Sequence, residues 1–308
     1  MQKLVRILTR KSPLAMWQAE FVKTCLLEKD PSLQIELVGM VTEGDRKLQQ
    51  SLARIGGKAL FIKELEQALY RGEGDIAVHS AKDLPITFPP GLGLGAILKR
   101  HDPRDGFISN DFNCLEQLPA GSVVGTASLR RQCLVRNLYP QLRVELLRGN
   151  VNTRLGRLDN GDFSGIILAA AGLERLQMQQ RIQEYLPVEQ FIPAVGQGAI
   201  AVEYALENEA LGKLLETIHD PETTYCINAE RAMNRHLQGG CQVPVAGFAT
   251  LSGEQLFLRG LVGLPDGSKI ITAEGIAMCG EEEKLGRNVA ESLIEQGAKA
   301  ILDTVKNT

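Results

Sequence analysis

The sequence predicts an α/β fold: two α/β domains built on open sheets, followed by a small C-terminal α+β domain. Three observations lead there. Short apolar runs that read as strands alternate with helical patterns through residue 168, the order expected of open, mostly parallel sheets. The run Asp75-Ile76-Ala77-Val78-His79-Ser80-Ala81-Lys82-Asp83-Leu84 has a counterpart in Gly165-Ile166-Ile167-Leu168-Ala169-Ala170-Ala171-Gly172-Leu173-Glu174, each a buried strand turning through small residues into a helix, as two related domains would require. Beyond Pro221 the pattern changes to one helix and two strands around a Pro265-Asp266-Gly267 turn, which reads as a separate small domain.

Residues 3–9 form the first strand, and Ser12-Pro13 then opens a helix, because serine is a preferred cap and proline suits the first helical position. Apolar residues Trp17, Phe21, Val22 and Leu26 recur along it at helical spacing. Residues 34–41 read as the next strand. The polar stretch 42–58, with Gly44, Gly56 and Gly57 and weak periodicity, is expected to be a mobile loop over a ligand cleft. A helix is predicted near 61–71, strands at 76–79, 122–125, 144–147 and 165–168, and helices near 129–137 and 153–160. Gly91-Leu92-Gly93-Leu94-Gly95 has a superficial likeness to a dinucleotide loop, but it follows Pro89-Pro90 and lacks the strand-then-helix setting. In the last part, Pro221 and a loop around 239–244 punctuate the chain, 230–237 reads as a helix, and 256–262 and 269–275 read as strands.

With 308 residues, 44% of them hydrophobic, the chain can bury a substantial core. It divides into two or three domains, since single cores stop growing near ~250–300 residues. Lysine and arginine number 34 against 37 acidic residues, so there is no overall cationic field to drive non-specific nucleic-acid binding. Aromatics at 5% also give few platforms for base stacking. The cysteines, Cys25, Cys114, Cys133, Cys226, Cys241 and Cys279, include no C-x-x-C pair, so reduced thiols fit better than a zinc site or a disulfide framework. His79, His101, His219 and His236 show no i, i+4 ligand spacing, and no metal is expected. No apolar run approaches the ~20 residues of a membrane span, and residues 1–17 lack the apolar core of a signal peptide. A soluble, cytoplasmic protein is expected.

Against this balanced charge, positions 126–157 hold Arg130, Arg131, Arg136, Arg143, Arg148, Arg154 and Arg157 with a single glutamate and no lysine. A guanidinium donates a two-pronged hydrogen bond that matches a carboxylate or phosphate, so an all-arginine choice points to oriented anion recognition. Thr126 and Ser128 place hydroxyls at a helix start, with Arg130 and Arg131 in the first turn, where the positive end of the helix dipole disfavours cations. A bound anion accounts for that placement, and so does a capped helix with solvated arginines. Arg148, Asn150 and Arg154, arriving directly after another strand, favour binding.

Ligands of open α/β sheets sit beyond the carboxyl ends of the strands, so Lys82 and Asp83 in one domain and the arginine segment in the other are expected to face a shared cleft. Asp83, ahead of Leu84-Pro85, reads either as a turn cap or as a lone carboxylate among cations, able to stabilise developing positive charge or shuttle protons. Cys241 reads either as an ordinary buried cysteine or as a thiol that Gly239 and Gly240 leave open to a bulky adduct.

Six segments, in order along essentially the whole chain, resemble the motifs of the porphobilinogen deaminase (hydroxymethylbilane synthase) family. They are ILTRKSPLA at 7–15, HSAKDLP at 79–85, GTASLRR at 125–131, LRGNVNTR at 147–154, PAVGQG at 193–198 and GGCQVP at 239–244. The resemblance implies two α/β domains like those of type II periplasmic binding proteins, at 1–98 with 199–217 and at 103–193, and a C-terminal α+β domain at 221–308 that presents the cysteine. It implies a dipyrromethane cofactor held by a thioether to Cys241. Onto this primer the family condenses four porphobilinogen molecules with loss of ammonia, then releases linear hydroxymethylbilane by hydrolysis. Asp83 matches the family's catalytic aspartate, which stabilises positive charge on pyrrole nitrogen. Lys82, Arg130, Arg131, Arg154, Ser80, Thr126 and Ser128 are matched to cofactor binding; Arg10, Ser12, Gln18, Lys58, Arg148, Asn150, Arg175 and Gln197 are matched to substrate binding. Each ring carries an acetate and a propionate, so the arginine excess gains its counterpart. The resemblance further implies a monomer whose product passes to uroporphyrinogen-III synthase, with neither nucleic acid nor membrane as partner. The rival reading, a non-catalytic anion-binding protein of the periplasmic kind, does not need Cys241 and lacks its signal peptide here.

Overall fold

Two five-stranded sheets with one shared strand order carry the chain up to its C-terminal domain. The computed structural model describes residues 4–42, 62–239 and 243–306. These fall into two compact units, the first comprising residues up to 101 together with 199–224, the second 102–198 and the residues from 225 onward.

The first unit contains β1 (Leu4–Arg10), α1 (Pro13–Lys29), β2 (Gln34–Met40), α2 (Lys63–Tyr70), β3 (Ile76–Ser80), β4 (Leu92–Ile97) and, later in the chain, β10 (Ile200–Ala205) and α6 (Glu209–Glu216). The sheet order is β2-β1-β3-β10-β4, with β1 parallel to β2 and β3, and β10 antiparallel to β3 and β4. Successive strand residues face opposite layers. Val5, Ile7, Ile76, Val78 and Val202 pack with Val22 and Leu26 of α1 and Leu211 and Leu215 of α6, whereas Leu8 and Ala77 pack with Leu65, Ala68 and Leu69 of α2. Burial on both faces explains why β3 is apolar along most of its length instead of alternating.

Its exception is His79, whose Nε2 lies 3.0 Å from Glu203 Oε2 with both side chains buried. Glu66 of α2, also buried, has its pKa raised first by burial and then by the charge of Glu203, with His79 opposing. A carboxyl raised in this way is accommodated fully below its unfolded value of about 4.3 and loses that advantage as pH climbs through the raised pKa. Glu66→Gln is therefore expected to match the parent protein in melting temperature near pH 4 and to exceed it at pH 7.5, as thermal melts at the two pH values would show.

The second unit begins with β5 (Asp105–Ile108), β6 (Val123–Gly125), α3 (Leu129–Leu138), β7 (Arg143–Glu145), α4 (Val151–Asp159), β8 (Gly165–Ala169), α5 (Ala170–Arg175) and β9 (Glu184–Leu186). Its sheet reads β7-β6-β8-β5-β9, with β6 parallel to β7 and β8, and β5 antiparallel to β8 and β9. The pattern of directions repeats that of the first sheet. β3 and β8 hold the same place in it, so the likeness between residues 75–84 and 165–174 is one of structural position. The C-terminal part adds α7 (Pro221–His236), an antiparallel sheet of β11 (Val245–Ser252), β12 (Gln255–Gly263) and β13 (Ile270–Met278), then α8 (Glu282–Glu295) and α9 (Ala298–Lys306). Met233, Leu258, Val289, Leu293 and Ile301 form its core.

Several elements differ from expectation for identifiable reasons. The helix expected at 230–237 runs from Pro221, because Asp220 Oδ1 accepts from Thr223 N at 2.8 Å and proline opens the helix instead of breaking the chain there. The Gly91–Gly95 region is the edge strand β4: a Cβ on Gly93 would lie 2.7 Å from Leu206, and one on Gly95 2.3 Å from Leu215, so glycine permits the close packing. Strands β5, β9, β10 and β11 and helices α6, α8 and α9 are additional. β5 and β9 are only 4 and 3 residues long, too short to show a period. Of the loop expected at 42–58, only Thr42 is among the described residues. No described helix is long and apolar enough to cross a membrane.

Candidate functional site

β1 and β3 are parallel neighbours, Ile7 opposite Ile76 and Leu8 opposite Ala77, so both release the chain at one edge of the first sheet. That edge gathers Arg10, Ser12, Gln18, Ser80, Lys82 and Asp83. Ser12 caps α1 by accepting from Ala15 N at 3.4 Å, and buried Thr9 donates its hydroxyl to Ala15 O at 3.0 Å. Gln18 is buried, and its Nε2 donates to Ser80 Oγ at 2.9 Å. Helix α1 thus braces the residue that leads into a single 3-10 turn, Ala81–Asp83. Asp83 itself is exposed, and among the described residues its carboxylate has no hydrogen-bond or ion-pair partner. It caps no turn.

In the second unit β6, β7 and β8 are parallel and release their chains at a common edge. Thr126, 2% exposed, accepts from Ser128 N at 3.2 Å, and Ser128 caps α3 by accepting from Arg131 N at 3.4 Å. Asn150 caps α4 through Thr153 N at 2.8 Å. Between Arg148 and Asn150, Gly149 has φ +113, and a Cβ there would stand 2.7 Å from Thr153, so only glycine makes this turn without strain. Arg154 Nε donates to Gly149 O at 2.8 Å, and Arg175 Nη2 to Gly198 O at 2.7 Å. Burial pushes the Arg175 pKa down to about 10 and also lowers that of Arg148.

Arg130 and Arg131 are 4% and 5% exposed, so the solvated-arginine alternative fails. The anion beside them is Asp105, fully buried on β5. Its Oδ2 pairs with Arg130 Nη2 at 2.8 Å, while Oδ1 accepts from Arg131 Nε at 3.1 Å, Arg131 Nη2 at 2.8 Å and Gln197 Nε2 at 2.8 Å. Arg130 Nη1 further donates to Ile192 O at 2.8 Å and Arg131 Nη1 to Ile167 O at 3.0 Å. An anion does account for the first-turn placement, and the one that stands there is an internal carboxylate, Asp105. Burial alone would raise the Asp105 pKa, but the two guanidinium charges and the hydrogen bonds from Arg131 and Gln197 hold it well below the carboxylate range.

The arginine-rich segment also divides. Arg136 donates to the carbonyls of Pro265 and Val144, Arg143 pairs with Glu145, and Arg157 pairs with Asp162. The strand-edge set is therefore Arg130, Arg131, Arg148, Arg154 and Arg175. Gln197, 1% exposed, also donates to Pro103 O at 2.8 Å. Its segment is anchored by Glu230 of α7, fully buried, which accepts from Gly196 N at 2.7 Å and Ala249 N at 2.8 Å. Asp105 and Glu230 were not foreseeable as site residues. The only sign of Asp105 is an aspartate ahead of a short apolar run, and Glu230 lies within an ordinary amphipathic helix. Lys58 and Cys241 lie outside the described residues.

Comparison with known proteins adds family information. Residues 5–213 match the family model described as porphobilinogen deaminase, dipyromethane cofactor binding domain, and residues 224–295 match that of the porphobilinogen deaminase C-terminal domain. Among solved structures, the chain is similar to a nutrient-binding protein from Burkholderia cenocepacia bound to methionine, at 12% identity and TM-score 0.45, covering 71% of this chain and 93% of that one. It is also similar to an ABC-transporter periplasmic substrate-binding protein from Coxiella burnetii, at 12% identity and TM-score 0.45, covering 71% and 94%.

Proposed function

The chain belongs to the porphobilinogen deaminase family, transferases of tetrapyrrole biosynthesis with hydroxymethylbilane synthase activity and a dipyrromethane cofactor, and on that premise we propose how its residues divide the work. The observation that carries the proposal is the exposed Asp83 carboxylate, without a partner among the described residues, on a turn braced through Ser80 and Gln18.

The residues present suit a cofactor bearing acetate and propionate groups. Two buried guanidiniums against one carboxylate leave the Arg130–Arg131–Asp105 cluster with net positive charge, and Arg130 Nε is buried without a hydrogen-bond partner among the described residues. Lys82, Arg130, Arg131 and Arg154, with Ser80, Thr126 and Ser128, hold the dipyrromethane carboxylates, and Cys241 attaches it as a thioether. When bound, that group supplies the primer carbon to which the first porphobilinogen is joined.

Arg10, Arg148 and Arg175 take the acetate and propionate of incoming porphobilinogen, with Ser12, Gln18, Asn150, Gln197 and Lys58 completing the polar lining. As ammonia leaves, positive charge develops on the substrate's pyrrole nitrogen. Asp83 faces that charge as an anion, stabilises it and accepts a proton after coupling. We place the enzyme in the cytoplasm as a monomer, with uroporphyrinogen-III synthase taking its product.

Intact-mass measurement tests this reading. The purified protein, or protein incubated with porphobilinogen, is expected to exceed the 33.7 kDa chain by two pyrrole units and then to gain rings singly. Cys241→Ala is expected to stay at the bare-chain mass under both conditions. A covalent adduct in that variant would move the attachment elsewhere, and absence of any adduct in the parent protein would end the proposal.

A further inference from the structure

We propose that Asp105 is a positioning residue of the synthase site, orienting Arg130 and Arg131 and limiting their combined charge so that the pair receives one ligand carboxylate; this rests on the function proposed above. Asp105 opens β5, where its backbone is in register with Ala169 of β8 on one side and Leu186 of β9 on the other. A residue flanked by strands on both sides has little freedom to shift. Its two oxygens are divided between the arginines, Oδ2 to Arg130 and Oδ1 to Arg131, and Gln197 holds Oδ1 in place.

The arrangement assigns unequal roles to the two arginines. A guanidinium has five N–H donors. Arg131 directs them to Asp105 through Nε and Nη2, to Ile167 O through Nη1 and more weakly to Gln197 Oε1 at 3.4 Å. Arg130 engages only Ile192 O and Asp105, and its Nε is buried without a hydrogen-bond partner among the described residues. Arg130 is thus the arm with donors left for a ligand, and Arg131 is the brace. Without Asp105, two adjacent like charges would stand buried and would separate or recruit a foreign anion. Because the carboxyl is held well below its ordinary range, its charge persists at any working pH.

Asp105→Asn keeps the side-chain shape and removes the charge. Its intact mass, melting curve and steady-state kinetics are to be compared with those of the parent holoenzyme. After equal incubation with porphobilinogen, the fraction of folded Asp105→Asn that carries the two-pyrrole mass is expected to fall at least about tenfold below the parent's, because Arg130 and Arg131 hold the cofactor carboxylates and one charge-assisted hydrogen bond is worth about that factor. Turnover of the loaded molecules should change far less, because Asp83 is untouched. A purely structural role would lower the melting temperature while leaving the folded fraction fully loaded, and that result overturns the proposal. Should Asp105→Asn not fold, Asp105→Gly refolded with formate decides: recovery of loaded protein with formate but not chloride sustains the role, and no recovery with formate removes it. Failure of the parent protein to acquire pyrrole units would sink the proposed function. A loaded parent beside an unaffected Asp105→Asn sinks only the role of Asp105.

Discussion

Asp83→Asn is expected to lose turnover by roughly 10²–10⁴-fold, the usual contribution of a positioned acid–base group, while its melting temperature and covalent mass stay at the parent values. The two halves of that expectation have separate origins. The carboxylate is exposed and unpartnered among the described residues, so changing it disturbs no fold contact, and such surface substitutions shift stability by about 0.5 kcal/mol or less. Turnover falls because an amide of the same shape cannot oppose positive charge on a pyrrole nitrogen or take its proton. Stopped-flow assays and intact-mass spectra on one preparation check both parts. Near-normal turnover would remove Asp83 from the mechanism, and a large fall in melting temperature would show that its side chain is engaged in the fold.

Arg131→Leu should act in the opposite manner, through stability and loading. The substitution strips Asp105 Oδ1 of two donors and leaves the Ile167 carbonyl without its guanidinium partner, all inside a buried cluster. Removing one member of a buried ion pair costs about 3–5 kcal/mol, and each kcal/mol lowers the melting temperature of a unit this size by roughly 2–4 °C. Asp105 keeps Arg130 and Gln197, so folding at reduced temperature is expected. The purified variant should carry little or no dipyrromethane mass. A variant with unchanged melting and full loading would show that Arg131 contributes neither to the stability of the buried cluster nor to cofactor binding.

Legibility from sequence followed the range of the interactions involved. Ser12 and Ser128 were recognisable at helix starts, and each is a cap, because capping is decided within three residues. The strands β1, β3, β6 and β8 were readable as apolar runs, and the matching segments around Ser80 and Ala169 signalled the repeated sheet. By contrast, β10 pairs with β3 and β4 after a separation of more than a hundred residues, and nothing local announces it. Arg136, Arg143 and Arg157 looked like candidates for anion binding because composition counts charges without showing their partners.

Periodicity, capping chemistry and six ordered motifs were enough to establish the α/β class, the repeated half, the family and the residues worth testing. These are properties of neighbouring residues, and neighbouring residues are what a chain records directly. Which carboxylate answers which arginine was settled by the folded arrangement: Asp105 meets Arg130 and Arg131 across 25 and 26 positions, and Glu230 reaches Gly196 across 34. It also separated Asp83, left exposed and unpaired among the described residues, from Asp105, fully buried and doubly paired. The two aspartates are chemically identical along the chain, and burial with opposite charge gives them different work.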